Sequence, residues 1–367
     1  LDETVRFCAM KKGDRLGHAL ALGVDAESWL ERHGDALLPV DEHVDNLVWA
    51  WHEAGALADR LPWCAKLQRS LEKRIRRLLP YVPWLHPVCF AWENPLKQKP
   101  EPHQLRGGCT EKTAAESIRI SDVYAAWKLR RNCYWQFLRW KQSGVPDDAM
   151  RAALPDLDLL KQHDNRAAAL FFQRARWLEV QKQAKPAPFG RCQFTKDGLL
   201  KVRVSSLRRG TDLPAVAEPD ALGVLSDFYE RDELKFIHAL QDVKMQEYSD
   251  LGLMIEVNLT SNTYIARLED FTEHPVFRWH PVAIKNLKAK GKYNRFGLRK
   301  GIMPVCINTD DPGIMPTTLR TEFRLLKEAA LDRGENEKAI DAWVKTLRQT
   351  GLDEFEQKHE SVWRKVH

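Results

Sequence analysis

The 367 residues are 44% hydrophobic and 29% charged, with a formal net charge of +6, the balance of a water-soluble globular chain. No apolar run approaches the roughly 18–20 residues that a membrane span needs. The opening LDETVRFCAM mixes charged with apolar residues, so it reads as helix and not as a secretion signal. Seven cysteines form no CxxC pair and are odd in number, which argues against a disulfide framework or a zinc ribbon and for a reducing cytoplasm.

In chain order, a Gly13–Asp14 turn precedes a first expected strand at Arg15–Leu22, RLGHALAL. About 225 residues of different character follow. They are dense in tryptophan (Trp29, Trp49, Trp51, Trp63, Trp84, Trp92, Trp127, Trp135, Trp140, Trp177) and mostly helical in pattern. Within them, Ser121 is expected to cap a helix on which Val123, Trp127, Tyr134 and Leu138 recur at helical spacing. Residues 167–185 and 220–243 are expected helices, and Cys192–Val204 a hairpin turning at Asp197–Gly198. Proline-rich breaks at 80–87, 95–102 and 186–189 divide the block. A second expected strand, Leu251–Asn262, and a third, Met303–Asp311, are continuous apolar runs ending in polar residues, as suits parallel strands covered by helices. Pro312–Gly313 breaks the chain, and Thr317–Ala330 has the polar start and apolar stripe of a helix. The expected organisation is a strand region at 1–24, a helical insertion at 25–247, two strands within 248–330 and a helical segment at 331–367.

Three segments carry chemistry. TDDP at Thr309–Pro312 sets two adjacent carboxylates at a strand end, where one can bind a cation and its neighbour a substrate; the plainer reading is a turn or helix cap. GDRLGHAL at Gly13–Leu20 places His18 after a glycine, where an imidazole can orient a hydroxide or shuttle a proton; taken alone, it is a structural histidine. EVNLTSN at Glu256–Asn262 puts Ser261 and Asn262 where they can cap a helix, and Glu256 in an apolar strand needs a partner if buried.

The ordered series RxGH, ExxxTSN, HP (His274–Pro275) and NTDDP resembles the C-terminal half of the metal-dependent adenosine deaminase family of the amidohydrolase superfamily. The resemblance covers residues 1–24 and 248–330. It implies the last three strands of a TIM-type (β/α)8 barrel, here interrupted by a large helical insertion, within the α/β class. It further implies one Zn²⁺ bound by Asp310, with Asp311 hydrogen-bonding the purine and His18 orienting the attacking hydroxide. Gly17 would let substrate approach, and Glu256, Ser261 and Asn262 would lie behind the reacting groups or hold the fold. The family's HxH pair and HxxE segment have no match here, so on this resemblance the remaining zinc ligands are expected upstream of Leu1. The implied reaction is hydrolytic deamination of an adenine nucleoside or nucleotide, or of adenine in RNA, to the inosine form. With its long insertion the chain resembles the deaminase subunit of the RADAR antiphage system, a resemblance that would imply a homo-oligomer and an ATPase partner.

Residues 61–210 hold 29 Lys and Arg against 13 Asp and Glu. YAAWKLRRNCYWQFLRW at 124–140, with Lys201, Arg203, Arg208 and Arg209, is a candidate RNA-binding surface. Tryptophan at helical spacing is more often core or interface. The competing expectation is therefore a non-catalytic RNA-binding or scaffold protein on a degenerate deaminase barrel.

Overall fold

The computed structural model describes residues 10–85, 118–162, 164–183, 200–206, 223–311 and 313–363. The chain is of mixed α/β class and mainly helical. Among the described residues six strands are present: β1 (Arg15–Gly17), β2 (Ala36–Pro39), β3 (Lys201–Ser206), β4 (Val224–Tyr229), β5 (Met254–Val257) and β6 (Val305–Ile307). They form two three-stranded sheets, in the orders β1-β5-β6 and β2-β3-β4. No closed barrel is present among the described residues. The chain divides into two compact units at 32/33 and 233/234, with residues 33–233 forming the second.

In the first unit both pairings are parallel, Gly17 standing opposite Glu256 and Glu256 opposite Cys306. Ile255, Val257, Met303 and Val305 are fully buried beneath this sheet's helices. The helix Leu319–Asp332 begins at Thr318, whose Oγ1 accepts from the Thr321 N–H at 3.2 Å. It buries Glu322, Leu326, Ala329 and Ala330, a single face at three- and four-residue spacing. The helix Glu337–Trp363 adds Ile340, Trp343 and Leu347 to the same core.

The expected strands are longer than the real ones. Arg15–Leu22 is a strand only to Gly17 and closes in a 3-10 turn at Leu20–Leu22, because His18 and Ala19 turn into the left-handed region. Leu251–Asn262 is a strand only over Met254–Val257. Its polar tail starts the helix Leu259–Ala266, so Ser261 and Asn262 lie on a helix and not at a strand end. Met303–Asp311 reduces to Val305–Ile307.

The second unit pairs the helices Val40–Leu57 and Trp63–Leu78 with the mixed sheet, β3 running antiparallel to β2 and parallel to β4. On Trp63–Leu78 the buried residues Cys64, Leu67, Leu71, Arg74, Ile75 and Leu78 form one apolar stripe with a single charge in it. That charge has a purpose. Arg74 donates to both oxygens of Asp227 on β4, Nη2 at 2.9 Å, and Nη1 reaches Glu233 at 2.5 Å. His43 Nε2 lies 2.6 Å from Asp227, and Arg77 donates to the same carboxylate at 2.9 Å. Burial alone would raise the Asp227 pKa, but His43 and Arg74 override it and hold the carboxyl well below its usual range.

Other expectations change here too. Residues 220–243 are not one helix: β4 occupies Val224–Tyr229, and the helix runs Arg231–Asp250. Ser121 does not cap; the helix starts at Ile120 and ends at Leu129, and Tyr134 opens a separate helix to Gln142. The expected 167–185 helix is Arg166–Gln183. The hairpin's second arm is β3, paired with β2 and β4, while 192–199 lie outside the described residues. The opening helix expected at 1–9, Trp92, Arg208 and Arg209 also lie outside them. Among the described residues no helix is long and apolar enough to cross a membrane.

An Asp227 carboxylate with a depressed pKa contributes stability above about pH 4, its unfolded value, and loses it as pH falls through the lower folded value. Asp227→Asn is expected to destabilise by about 3–5 kcal/mol at neutral pH, since Arg74 is left buried with half its partners. The urea midpoint, followed by tryptophan fluorescence, should also fall less steeply below about pH 4 in the variant than in the parent.

Candidate active site

Because β1, β5 and β6 are parallel, their C-terminal ends emerge on one edge of the sheet. Just beyond those ends stand His18 and Asp310, with His18 Nε2 3.7 Å from Asp310 Oδ2. Both side chains are about one-third exposed. His18 Nδ1 is shut away from solvent with no hydrogen-bond partner among the described residues. Nε2 is the ring nitrogen that faces the carboxylate.

Both residues sit at positive φ, His18 at 65° and Asp310 at 62°, with Ala19 between strand and turn at 39°. Left-handed backbone is disfavoured for residues with a Cβ, by about 1 kcal/mol or more each, although Asp and His tolerate it better than most. The strand ends hold these turns in place. The Ala19 N–H bonds the Gly17 carbonyl at 2.8 Å, and the Asn308 N–H bonds the Val257 carbonyl at 2.8 Å. The Thr309 N–H is then caught by the Asn308 side chain at 2.8 Å.

Asp311 is exposed, and its Oδ1 accepts from the Gly313 N–H at 2.9 Å. The plainer reading of TDDP, a turn former, thus accounts for one Asp311 oxygen and for neither oxygen of Asp310. Gly17 has open space on its side-chain face, where an added Cβ would meet nothing within 4 Å. Gly23 is the opposite: a Cβ there would sit 2.6 Å from Trp279 Nε1 and 2.7 Å from the Pro275 Cβ. Glu256 does have its partner, Arg15 Nη1 at 3.4 Å on the neighbouring strand. The same strand row holds Cys306, whose thiol pKa is raised first by burial and then by Glu256.

Ser261 and Asn262 are fully buried and do not meet solvent. Asn262 Oδ1 accepts from the Asn258 N–H at 3.0 Å, which turns the chain from β5 into the helix. Asn258 Oδ1, Ser261 Oγ and Asn262 Nδ2 are buried without partners among the described residues. His274 is buried, and burial lowers its pKa to about 3.

Sequence reasoning missed Glu322. Fully buried, it accepts from the Thr260 N–H at 3.1 Å, from the Thr260 hydroxyl and from the Thr317 hydroxyl at 2.6 Å. It thereby ties the first turn of the helix after β5 to the start of the helix after β6. No capping-box spacing marks it, since Thr318 is the cap and Thr321 the third residue of the helix.

Among the described residues no group of three or more His, Cys, Asp or Glu is placed to hold a metal ion. The donor set at the strand ends is one carboxylate beside one imidazole. Zinc sites take three or four protein ligands, so these two residues fit part of a coordination shell and not a whole one. No protein-family model matches the chain, and it has no significant match among the curated proteins.

Two outcomes test the geometry. Glu322→Ala removes the acceptor of three buried donors and is expected to cost about 2–4 kcal/mol in urea unfolding. Asp310→Gly relieves the left-handed strain, so its melting temperature should equal or exceed that of Asp310→Ala, by differential scanning fluorimetry.

Proposed function

We propose that residues 10–32 and 234–363 form part of a deaminase-type (β/α)8 barrel, and that β1, β5 and β6 are its last three strands. On this reading the chain takes part in zinc-dependent hydrolytic deamination of an adenine-containing nucleoside or nucleotide. The observation that carries the reading is the meeting of His18 and Asp310 at 3.7 Å, some 290 residues apart in sequence, beyond the ends of the two strands that flank β5 in a parallel sheet. Left-handed backbone at both residues adds support, since strain of this kind clusters at functional sites. The parallel sheet has no further strand on either edge among the described residues, as suits an arc of a larger closed sheet.

In the proposed site Asp310 is one ligand of the zinc, and the others lie outside this chain's described residues. Zinc, when bound, lowers the pKa of water so that hydroxide is available near neutral pH. His18 Nε2 holds or passes the proton beside Asp310 and steadies charge that develops as the ring carbon is attacked. Asp311, with one oxygen accepting from the Gly313 N–H, keeps the other to accept from an N–H of the base. Gly17 leaves room for the ring to approach. Assembly with further copies or with an ATPase rests on the resemblance alone.

The RNA-binding alternative finds less support. In the 124–140 segment Arg130 is engaged by Asp45, and Arg131 by Asp156 at 2.5 Å. Trp127 is buried, as are Trp49, Trp84 and Trp177, while Trp135 is half exposed.

The test is an assay of the full-length protein against adenosine, ATP and RNA, with zinc content measured on the same preparation. Asp310→Ala is expected to abolish ammonia release and lower bound zinc while the far-ultraviolet circular dichroism is retained. His18→Ala should cut the rate by roughly 10²–10⁴-fold with zinc retained. Full activity in Asp310→Ala, or activity in zinc-free protein, overturns the reading.

A further inference from the structure

A cavity of about 270 Å³ opens within the first unit. None of Gly17, His18, Asp310 and Asp311 lines it. Five arginine and lysine side chains face it, against three carboxylates. Arg278 is consumed by Asp242, at 2.8 Å, and Arg32 by Glu273. Asp25 faces His238 at 3.4 Å, and burial followed by Arg278 keeps that imidazole below its usual pKa.

Three cations remain: Lys292, Arg295 and Arg333. None has a carboxylate partner among the described residues. Among the described residues Arg333 donates only to neutral oxygens, the Thr272 carbonyl and the Tyr293 hydroxyl, and its Nε is buried with no partner. Lys292 lies 5.3 Å above the Tyr293 ring. The Arg295 charge is felt by both Asp25 and Asp242.

A buried histidine also belongs to the cavity wall. His274 lines the cavity and is 1% exposed. Its Nδ1 accepts from the Val276 N–H at 3.0 Å, so the ring proton sits on Nε2. That Nε2 is buried with no partner among the described residues. Burial keeps the ring neutral, with a pKa of about 3, so at physiological pH it is a fixed N–H donor. A buried donor without an acceptor is costly unless something supplies one.

We propose that this cavity binds a phosphate dianion, either free or as the end of a small monoester. The excess of two cations over carboxylates matches the charge of roughly −1.5 to −2 that a phosphate monoester carries at pH 7. Its terminal oxygens can accept from the exposed Arg295 guanidinium and Lys292 ammonium, bonds stronger than those of neutral pairs because the donors are charged. A volume near the lower end for small-molecule sites leaves room for little more than a sugar beside the phosphate. The site uses neither His18 nor Asp310, so it stands or falls apart from the deaminase reading.

The test is isothermal titration calorimetry of the full chain at low salt, with inorganic phosphate and with ribose 5-phosphate as probes. Saturable one-to-one binding is expected, weakened at least about tenfold in the double variant Lys292→Ala, Arg295→Ala. Both side chains are exposed, so the variant should keep its fold, checked by circular dichroism. Tighter binding of ribose 5-phosphate assigns the site to a monoester, and tighter binding of inorganic phosphate to the free ion. Equal affinities in parent and variant, or no saturation by either probe up to about 10 mM, overturn the proposal.

Discussion

Parallel pairing of β5 between β1 and β6 is the constraint on which the candidate active site rests. Strands that run the same way end on the same edge, so segments about 240 and 50 residues apart deliver their polar ends to one place. The apolar residues Ile255, Val257 and Val305 hold the register from beneath. A slip of one residue would carry them to the other face of the sheet and break the core. Strained turns at His18 and Asp310 can persist because the strands before them and the helix after them leave no alternative path. Glu322 completes that restraint by fixing two helix starts with a single buried carboxylate.

The second unit solves a different problem with the same chemistry. Its sequence is rich in arginine, and its apolar stripes alone would leave Arg74 buried and unpaired. Asp227 and Glu233 answer it, and His43 and Arg77 share the carboxylate. Part of the positive excess therefore points inward. Arg130 and Arg131 follow the same pattern at Asp45 and Asp156. A count of charges along the chain overstates the free positive surface, because burial and pairing remove members of the count that only the fold can identify.

Several elements were legible before folding. Thr317–Ala330 was recognisable as a helix from its polar start and apolar stripe, and the structure moves its ends by two residues. The cores of the second and third expected strands in the first unit do form strands, since buried parallel strands read as short apolar runs, while of the first only its opening residues Arg15–Gly17 do. Their ends were misread because the polar residues after each run belong to turns and helices, and an apolar run carries no mark of where hydrogen bonding to the next strand stops. β4 was hidden within an expected helix because Val224–Tyr229 is short and carries Asp227 on its buried face, a position where a charge argues against a strand until Arg74 is seen.

The sequence by itself determined which residues could react: His18, Asp310 and Asp311 lie in short motifs whose residue types allow proton transfer, metal ligation and base recognition. It also placed Asp310 and Asp311 just after an apolar run, whereas His18 was read as part of an expected strand that the structure ends at Gly17. Only the tertiary structure decided that His18 and Asp310 meet, at 3.7 Å, while Ser261 and Asn262 withdraw into the core. Distance across a sheet depends on strand order and register, and these follow from packing by the whole unit. The same holds for the partners of Glu256, Asp227 and Glu322, each a carboxylate whose role was set by a residue far away in sequence.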